Sequence, residues 1–225
     1  MPGMLQKKAP KICKVLIVDD HPAVREGLSM RINQQPDMNV CAEAGGVQEA
    51  LQLLTQIQPD VAVVDISLKD GNGIDLIKRI KADKNPLRIL VWSMHAESLY
   101  AERAIRAGAL GYINKEQTTG QLVEAIRSVS RNELYLSSDA TKLILQRGLT
   151  ENGEMLGDPV NTLSNRELEV FKMIGNGLST SKIASTLNIS VHTVETHRQR
   201  IKTKLGYKTA TELTSRAARW ILEEN

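Results

Sequence analysis

Residues 14–20 read KVLIVDD, an unbroken apolar run over Val15–Val18 closed by Asp19 and Asp20. The same grammar recurs along the first half of the chain. VAVVD (61–65) closes on Asp65, RILVWS (88–93) on Ser93 and LGYINK (110–115) on Lys115. Near-continuous apolar runs suit parallel strands buried on both faces, because an alternating pattern is needed only where one face meets water. In a doubly wound sheet, ligands bind outside the carboxyl ends of the strands. Three carboxylates, a hydroxyl and an amine are therefore expected to converge at one sheet edge.

Between these strand patterns lie amphipathic stretches. Strands are expected near 14–18, 38–43, 60–65, 88–93 and 110–113, and helices near 22–34, 47–57, 73–83, 97–107 and 119–130. Pro22 suits a first helical turn, and Thr118-x-x-Gln121 reads as a capping box. Strand–helix alternation implies an α/β fold with a doubly wound, five-stranded parallel sheet and right-handed crossovers. No GxGxxG follows any strand, so a dinucleotide-binding version is unsupported.

The pattern changes after Leu136. Ser137–Gln146 has the periodicity of one further helix, and TENGEMLGDPVN (150–161) has none. The expected organisation is a tail over 1–11, an α/β domain over 12–136, a linker over 137–160 containing that helix, and an all-α domain over 161–225. In the last part, Ser164-x-x-Glu167 opens a helix, Ser179 a second, Ser190 a third and Thr209-x-x-Glu212 a fourth.

Composition narrows the class. Of the 225 residues, 41% are hydrophobic and 24% charged, as in globular proteins. No apolar stretch approaches the roughly 18 residues of a membrane span, and no signal-peptide core is present, so a cytoplasmic protein is expected. Cys13 and Cys41 lack metal-ligand spacing and are expected as free thiols. Charge is uneven: 17 Lys/Arg face 16 Asp/Glu over 1–136, but 10 face 6 over 161–225. A basic segment at one end of a near-neutral chain points to a polyanion.

At the strand ends, Asp19, Asp20 and Asp65 offer the oxygen ligands that Mg²⁺ prefers, and a cation would relieve their mutual repulsion. An aspartate can act as nucleophile and form an acyl phosphate. Lys115 would pair with the added charge, and the Ser93 hydroxyl would donate to a phosphoryl oxygen. On these residues, and on the segment Tyr112-Ile113-Asn114-Lys115, residues 12–130 resemble the receiver domain of two-component response regulators, a flavodoxin-like fold. The resemblance implies that Asp65 accepts phosphate from a sensor histidine kinase. It further implies that Asp19, Asp20 and Asp65 hold Mg²⁺ with the Ser67 backbone carbonyl, and that Ser93 and Tyr112 are switch residues. One departure is visible: receivers commonly carry proline four residues after the acceptor, where this chain has Lys69.

In the all-α part, the tight turn Leu187-Asn188-Ile189-Ser190 joins two helices, the arrangement that places a second helix in the DNA major groove. Val194, His197, Ile201 and Leu205 form one stripe at helical period, expected to pack inward with His197 half-buried and hydrogen-bonded. The opposite face carries His192, Thr196, Gln199 and Thr203 with Thr193 near its start, types suited to base edges. Arg198, Arg200, Lys202 and Lys204 flank it and would reach phosphates. Glu195, out of place beside phosphates, is expected to have a local partner. Residues 163–209 resemble the LuxR-type helix-turn-helix, through Arg166-Glu167, Gly177, Ile183-Ala184, Thr193-Val194, His197 and Lys204-Leu205-Gly206 among others. The resemblance implies four helices, with the last a common dimer contact, here through Leu213, Ala217, Trp220 and Ile221.

Taken together, the two resemblances follow the order of the NarL/FixJ class of response regulators. They imply a transcription factor that is not an enzyme, binds double-stranded DNA and forms a homodimer when Asp65 is phosphorylated, with no membrane partner. Two alternatives stand beside it. A Mg²⁺-dependent phosphatase with an aspartyl-phosphate intermediate usually needs an acid two residues after the nucleophile, where Ser67 stands. The other is a DNA-binding protein that needs no phosphorylation.

Overall fold

The computed structural model describes residues 12–149 and 159–224. The expected tail, most of the unpatterned part of the expected linker (150–158) and Asn225 lie outside the described residues. The chain divides into two compact units, 1–149 and 150–225.

The first unit opens with β1 (Cys13–Val18), α1 (Pro22–Asn33), β2 (Met38–Ala44), α2 (Val47–Leu54) and β3 (Val61–Val64). A hairpin follows, β4 (Ser67–Leu68) and β5 (Gly71–Asn72). After it come α3 (Gly73–Ala82), β6 (Arg88–Ser93), α4 (Glu97–Ala107), β7 (Gly111–Asn114), α5 (Thr119–Ser130) and α6 (Ser138–Leu149).

The five long-range strands make one parallel sheet in the order β2-β1-β3-β6-β7. From β1 the chain steps outward to β2, then returns past β1 to β3, so the winding direction reverses between β1 and β3. Right-handed crossovers then put helices on opposite faces on either side of that point. On one face, Val15, Ile17, Val61, Val63 and Leu90 pack with Leu28 and Ile32 of α1 and with Leu122, Ile126 and Val129 of α5. Leu16, Ala62, Ile89 and Val91 point the other way by strand alternation and are just as inaccessible. Burial on both faces is why the strand sequences read as unbroken apolar runs. The crevice that opens where the winding reverses lies at the carboxyl ends of β1 and β3, the ends that carry Asp19, Asp20 and Asp65.

Two short-range features pin that edge. A Cβ at Gly73 would lie 1.9 Å from the Asp65 carbonyl oxygen, so only glycine lets α3 begin against the Asp65 backbone. Asp70 caps α2 from across the sequence, its carboxylate accepting from Val47 N–H at 2.7 Å and Gln48 N–H at 3.0 Å. Lys69 beside it turns toward the β2–α2 loop, where its Nζ, Glu49 and Arg25 wall the space over Gly45.

The second unit begins with a 3₁₀ turn (Pro159–Thr162) and continues with α7 (Asn165–Gly175), α8 (Thr180–Thr186), α9 (Val191–Leu205) and α10 (Ala210–Glu224). The expected caps form: Ser164 with Glu167, Ser179 on Lys182 N–H and Ser190 on Thr193 N–H. Leu168, Phe171, Ile174, Ile183, Val194, Ile201, Leu213 and Trp220 fill its core. Each such side chain contributes about 1.5–3 kcal/mol on burial. Among the described residues, no helix is long and apolar enough to cross a membrane.

Candidate functional site

In the first unit, Asp19 and Asp65 are almost wholly buried, and Lys115 reaches between them. Its Nζ donates to Asp19 Oδ2 and to Asp65 Oδ2, both at 2.6 Å. The ammonium also stands over Trp92, with Nζ 5.1 Å from the ring centroid. Asp65 Oδ1 accepts from Ile66 N–H at 2.7 Å, and the buried Ser93 hydroxyl also hydrogen-bonds this carboxylate. Burial raises the Asp65 pKa against the pull of Lys115 and Ser93. Burial alone would lower that of Lys115, but Asp65 and Asp19 together lift it above the usual lysine value.

Donor atoms of Asp19, Asp20, His21 and Asp65 all lie within 4.8 Å of one another. Asp20 Oδ1 is a buried oxygen that accepts no hydrogen bond, although His21 Nδ1 stands 2.7 Å away. An anionic oxygen left in that state, beside two more carboxylates, fits a hard divalent cation with oxygen ligands. His21 is an addition: its backbone N–H donates to Asp19 Oδ1 at 2.9 Å, and its ring sits at the rim. A single histidine after an acidic pair carries no spacing signal, so the sequence reading passes over it.

The switch candidates sit deeper. Tyr112 is buried, and its hydroxyl donates to the His95 carbonyl at 2.8 Å. The tyrosine is thus inward, where burial raises its pKa far above the ordinary value. Ser67, whose backbone carbonyl was expected to serve the metal, turns its hydroxyl to His95 Nε2 at 2.9 Å. His95 in turn stacks on Tyr100 of α4, with ring centroids 4.6 Å apart.

In the second unit, His192, Gln199, Arg200 and Thr203 are exposed on α9, with Thr193, Thr196, Arg198 and Lys202 partly so. Thr196 and Thr203 donate their hydroxyls back to the His192 and Gln199 carbonyls. Glu195 has the local partner expected of it: Thr180 Oγ1 donates to Glu195 Oε1 at 3.0 Å, and Arg198 lies 3.6 Å from Oε2.

Lys204 is exposed, and its Nζ donates to Glu167 Oε2 at 2.6 Å, which ties α9 to α7. Two expectations need correction. His197 is half-buried, but its Nδ1 has no hydrogen-bond partner, and burial followed by Arg166 and Arg200 lowers its pKa. Leu213, Ala217 and Trp220 are not a dimer surface. They are buried within their own unit, where α10 packs on α7 and Trp220 meets Phe171 edge-on. Ile221 is part of the same contact, lying close over Gly175. A small four-helix domain needs those side chains for its own core.

A strand-end acid–lysine site in one unit and a helix-turn-helix in the other define a class, regulators that join an α/β input domain to a DNA-binding domain. A family model described as the response regulator receiver domain matches residues 15–127. A second, for bacterial regulatory proteins of the luxR family, matches 161–217. The oxygen regulatory protein NreC of Staphylococcus carnosus (strain TM300) is 36% identical over 208 residues, covering 91% of this chain and 96% of that protein. A LuxR-family two-component response regulator from Aurantimonas sp. SI85-9A1 is 34% identical, with a TM-score of 0.57 over 61% of this chain and 99% of that one. RcsB from Salmonella enterica serovar Typhimurium, solved bound to promoter rprA with the phosphomimetic BeF3−, shares the fold. Its TM-score is 0.61 at 24% identity, over 92% of this chain and 99% of that one. The chain belongs to the response regulators that join a receiver domain to a LuxR-type helix-turn-helix, and it is a DNA-binding transcription regulator.

Proposed function

We propose that Asp65 is the phosphoacceptor and that its phosphorylation by a sensor histidine kinase raises the affinity of α9 for double-stranded DNA. The observation that carries this reading is Lys115 Nζ at 2.6 Å from both Asp19 and Asp65, three strand ends brought to one point. The Asp65 carboxylate attacks the phosphorus of a phosphohistidine. A P–O bond forms, the P–N bond breaks, and the imidazole leaves with the electron pair and takes up a proton. Asp19, Asp20 and Asp65, with the Ser67 backbone carbonyl, would hold Mg²⁺, which when bound neutralises charge on the transferring group. Lys115 exchanges its carboxylate contact for a phosphoryl oxygen. Ser93 donates to another, and Tyr112, already inward, keeps the β6–α4 loop in register.

In the second domain, His192, Thr193, Thr196, Gln199 and Thr203 face base edges, and Arg198, Arg200 and Lys202 meet phosphates. Two copies assemble on paired half-sites when phosphorylated, through a surface other than Leu213, Ala217 and Trp220. The protein works in the cytoplasm, and the domains run over 12–136 and 161–225. The test is intact mass after exposure to a small phosphodonor with Mg²⁺: one phosphoryl group adds to the wild type and none to Asp65→Asn. A phosphorylated variant refutes the acceptor assignment.

A further inference from the structure

We infer that residues 135–141 are an output strap, through which the state of the phosphoacceptor site leaves the receiver along the chain itself. This rests on the reading of Asp65 given above. Four observations meet in these residues.

The first is a ladder on the edge of the sheet. Tyr135 N–H donates to the Leu110 carbonyl and Tyr112 N–H to the Tyr135 carbonyl, both at 2.9 Å. The strap therefore bonds the backbone of the inward tyrosine and covers the outer edge of β7, which would otherwise present unpaired groups. The second is close approach. A Cβ at Gly111 would stand 3.0 Å from the Tyr135 carbonyl oxygen and 3.1 Å from its Cβ. Movement of β7 here has no slack to absorb it.

The third is a tether to α4. Ser137 N–H donates to Glu97 Oε1 at 2.9 Å. Glu97 stands two residues after His95, whose carbonyl receives the Tyr112 hydroxyl and the Asn114 amide, and whose ring meets Ser67 and Tyr100. A displacement beginning at Ser67 or Ser93 thus reaches Glu97 through one loop. The fourth is continuity. Ser137 is also the cap of α6, its hydroxyl accepting from Ala140 N–H at 3.1 Å and its carbonyl from Thr141 N–H at 3.0 Å. Helix α6 packs on α4 with Ala140 buried. The residue that senses α4 is therefore the one that starts the helix leading out of the receiver.

Both ends of the strap thus hang on elements that flank the phosphoacceptor site, β7 at Tyr112 and α4 at Glu97. Tyr112 is bonded through its hydroxyl on one side and its N–H on the other. Loss of either tether leaves Asp65 chemistry intact and weakens only what is passed on.

The test is Glu97→Ala against Glu97→Gln in the full chain, since glutamine keeps the acceptor oxygen for Ser137 N–H. Each protein is loaded with Mg²⁺ and beryllofluoride, and hydrogen exchange and DNA affinity are measured with and without loading. Exchange in 135–141 should change on loading in the wild type and in Glu97→Gln. In Glu97→Ala, with phosphodonor labelling of Asp65 unchanged, the gain in DNA affinity should fall about fivefold. A full gain in Glu97→Ala overturns the strap, as does equal loss in both variants or exchange in 135–141 that ignores loading. Absence of labelling in the wild type would instead sink the acceptor reading, which separates the two failures.

Discussion

Lys115 answers two buried carboxylates with one ammonium, and this imbalance fits the cation proposed for the site. With the ammonium removed, Asp19 and Asp65 repel across a dry space. Breaking a buried pair of this kind costs about 3 kcal/mol. Lys115→Met should therefore lower the melting temperature in chelator, and Mg²⁺ should raise it more than it raises that of the wild type. Equal Mg²⁺ shifts in the two proteins would show that the lysine and the cation do not answer the same charge. The strand-end residues of this site were legible because each closes an apolar run, and the run's end is a fixed place in a parallel sheet. His21 and His95 were not, since each is one polar residue without periodicity. Their importance comes from what the fold sets beside them: Asp20 in one case, Ser67, Tyr100 and Tyr112 in the other.

Helix α7 is joined to α9 by a charged contact, Lys204 with Glu167, on a carboxylate that also caps its own helix. Burial works to raise the Glu167 pKa, but the Lys204 ammonium and the Ser164 N–H outweigh it and hold the value below the ordinary 4.5. A depressed folded-state pKa stabilises above the unfolded value and is lost as pH falls through the folded one. The stability difference between wild type and Glu167→Gln should thus be constant near neutrality and shrink below about pH 4.5. Trp220 fluorescence in a Trp92→Phe background would follow it, and a difference unchanged at pH 3 would contradict the pairing. No sequence rule pairs residues 37 apart on two helices, so the contact of Lys204 with Glu167 was not legible. The stripe on α10 was read correctly as apolar, but periodicity cannot say whether an apolar face meets its own domain or a second copy. The burial of Leu213, Ala217 and Trp220 decides for the domain. The β4–β5 hairpin escaped for a similar reason: two-residue strands leave no alternation to detect.

Across the whole molecule, the near-neutral receiver and the basic second domain divide the labour between input and DNA. Residues facing phosphates and bases should then separate by experiment. Arg200→Ala should weaken all DNA sequences about equally and reduce the salt slope by about one, whereas Gln199→Ala should relax preference at one base position by about 1–3 kcal/mol. A salt slope that stays put in Arg200→Ala, or an unchanged preference in Gln199→Ala, would reassign the faces of α9. The central claim is that a phosphoryl group on Asp65 governs DNA binding, and the most direct measurement is DNA affinity with and without phosphodonor and Mg²⁺. Wild type should bind its sites more tightly when loaded, with Asp65→Asn held at the unloaded affinity under both conditions. Equal affinity of wild type in the two conditions, or a gain retained by Asp65→Asn, would contradict the account.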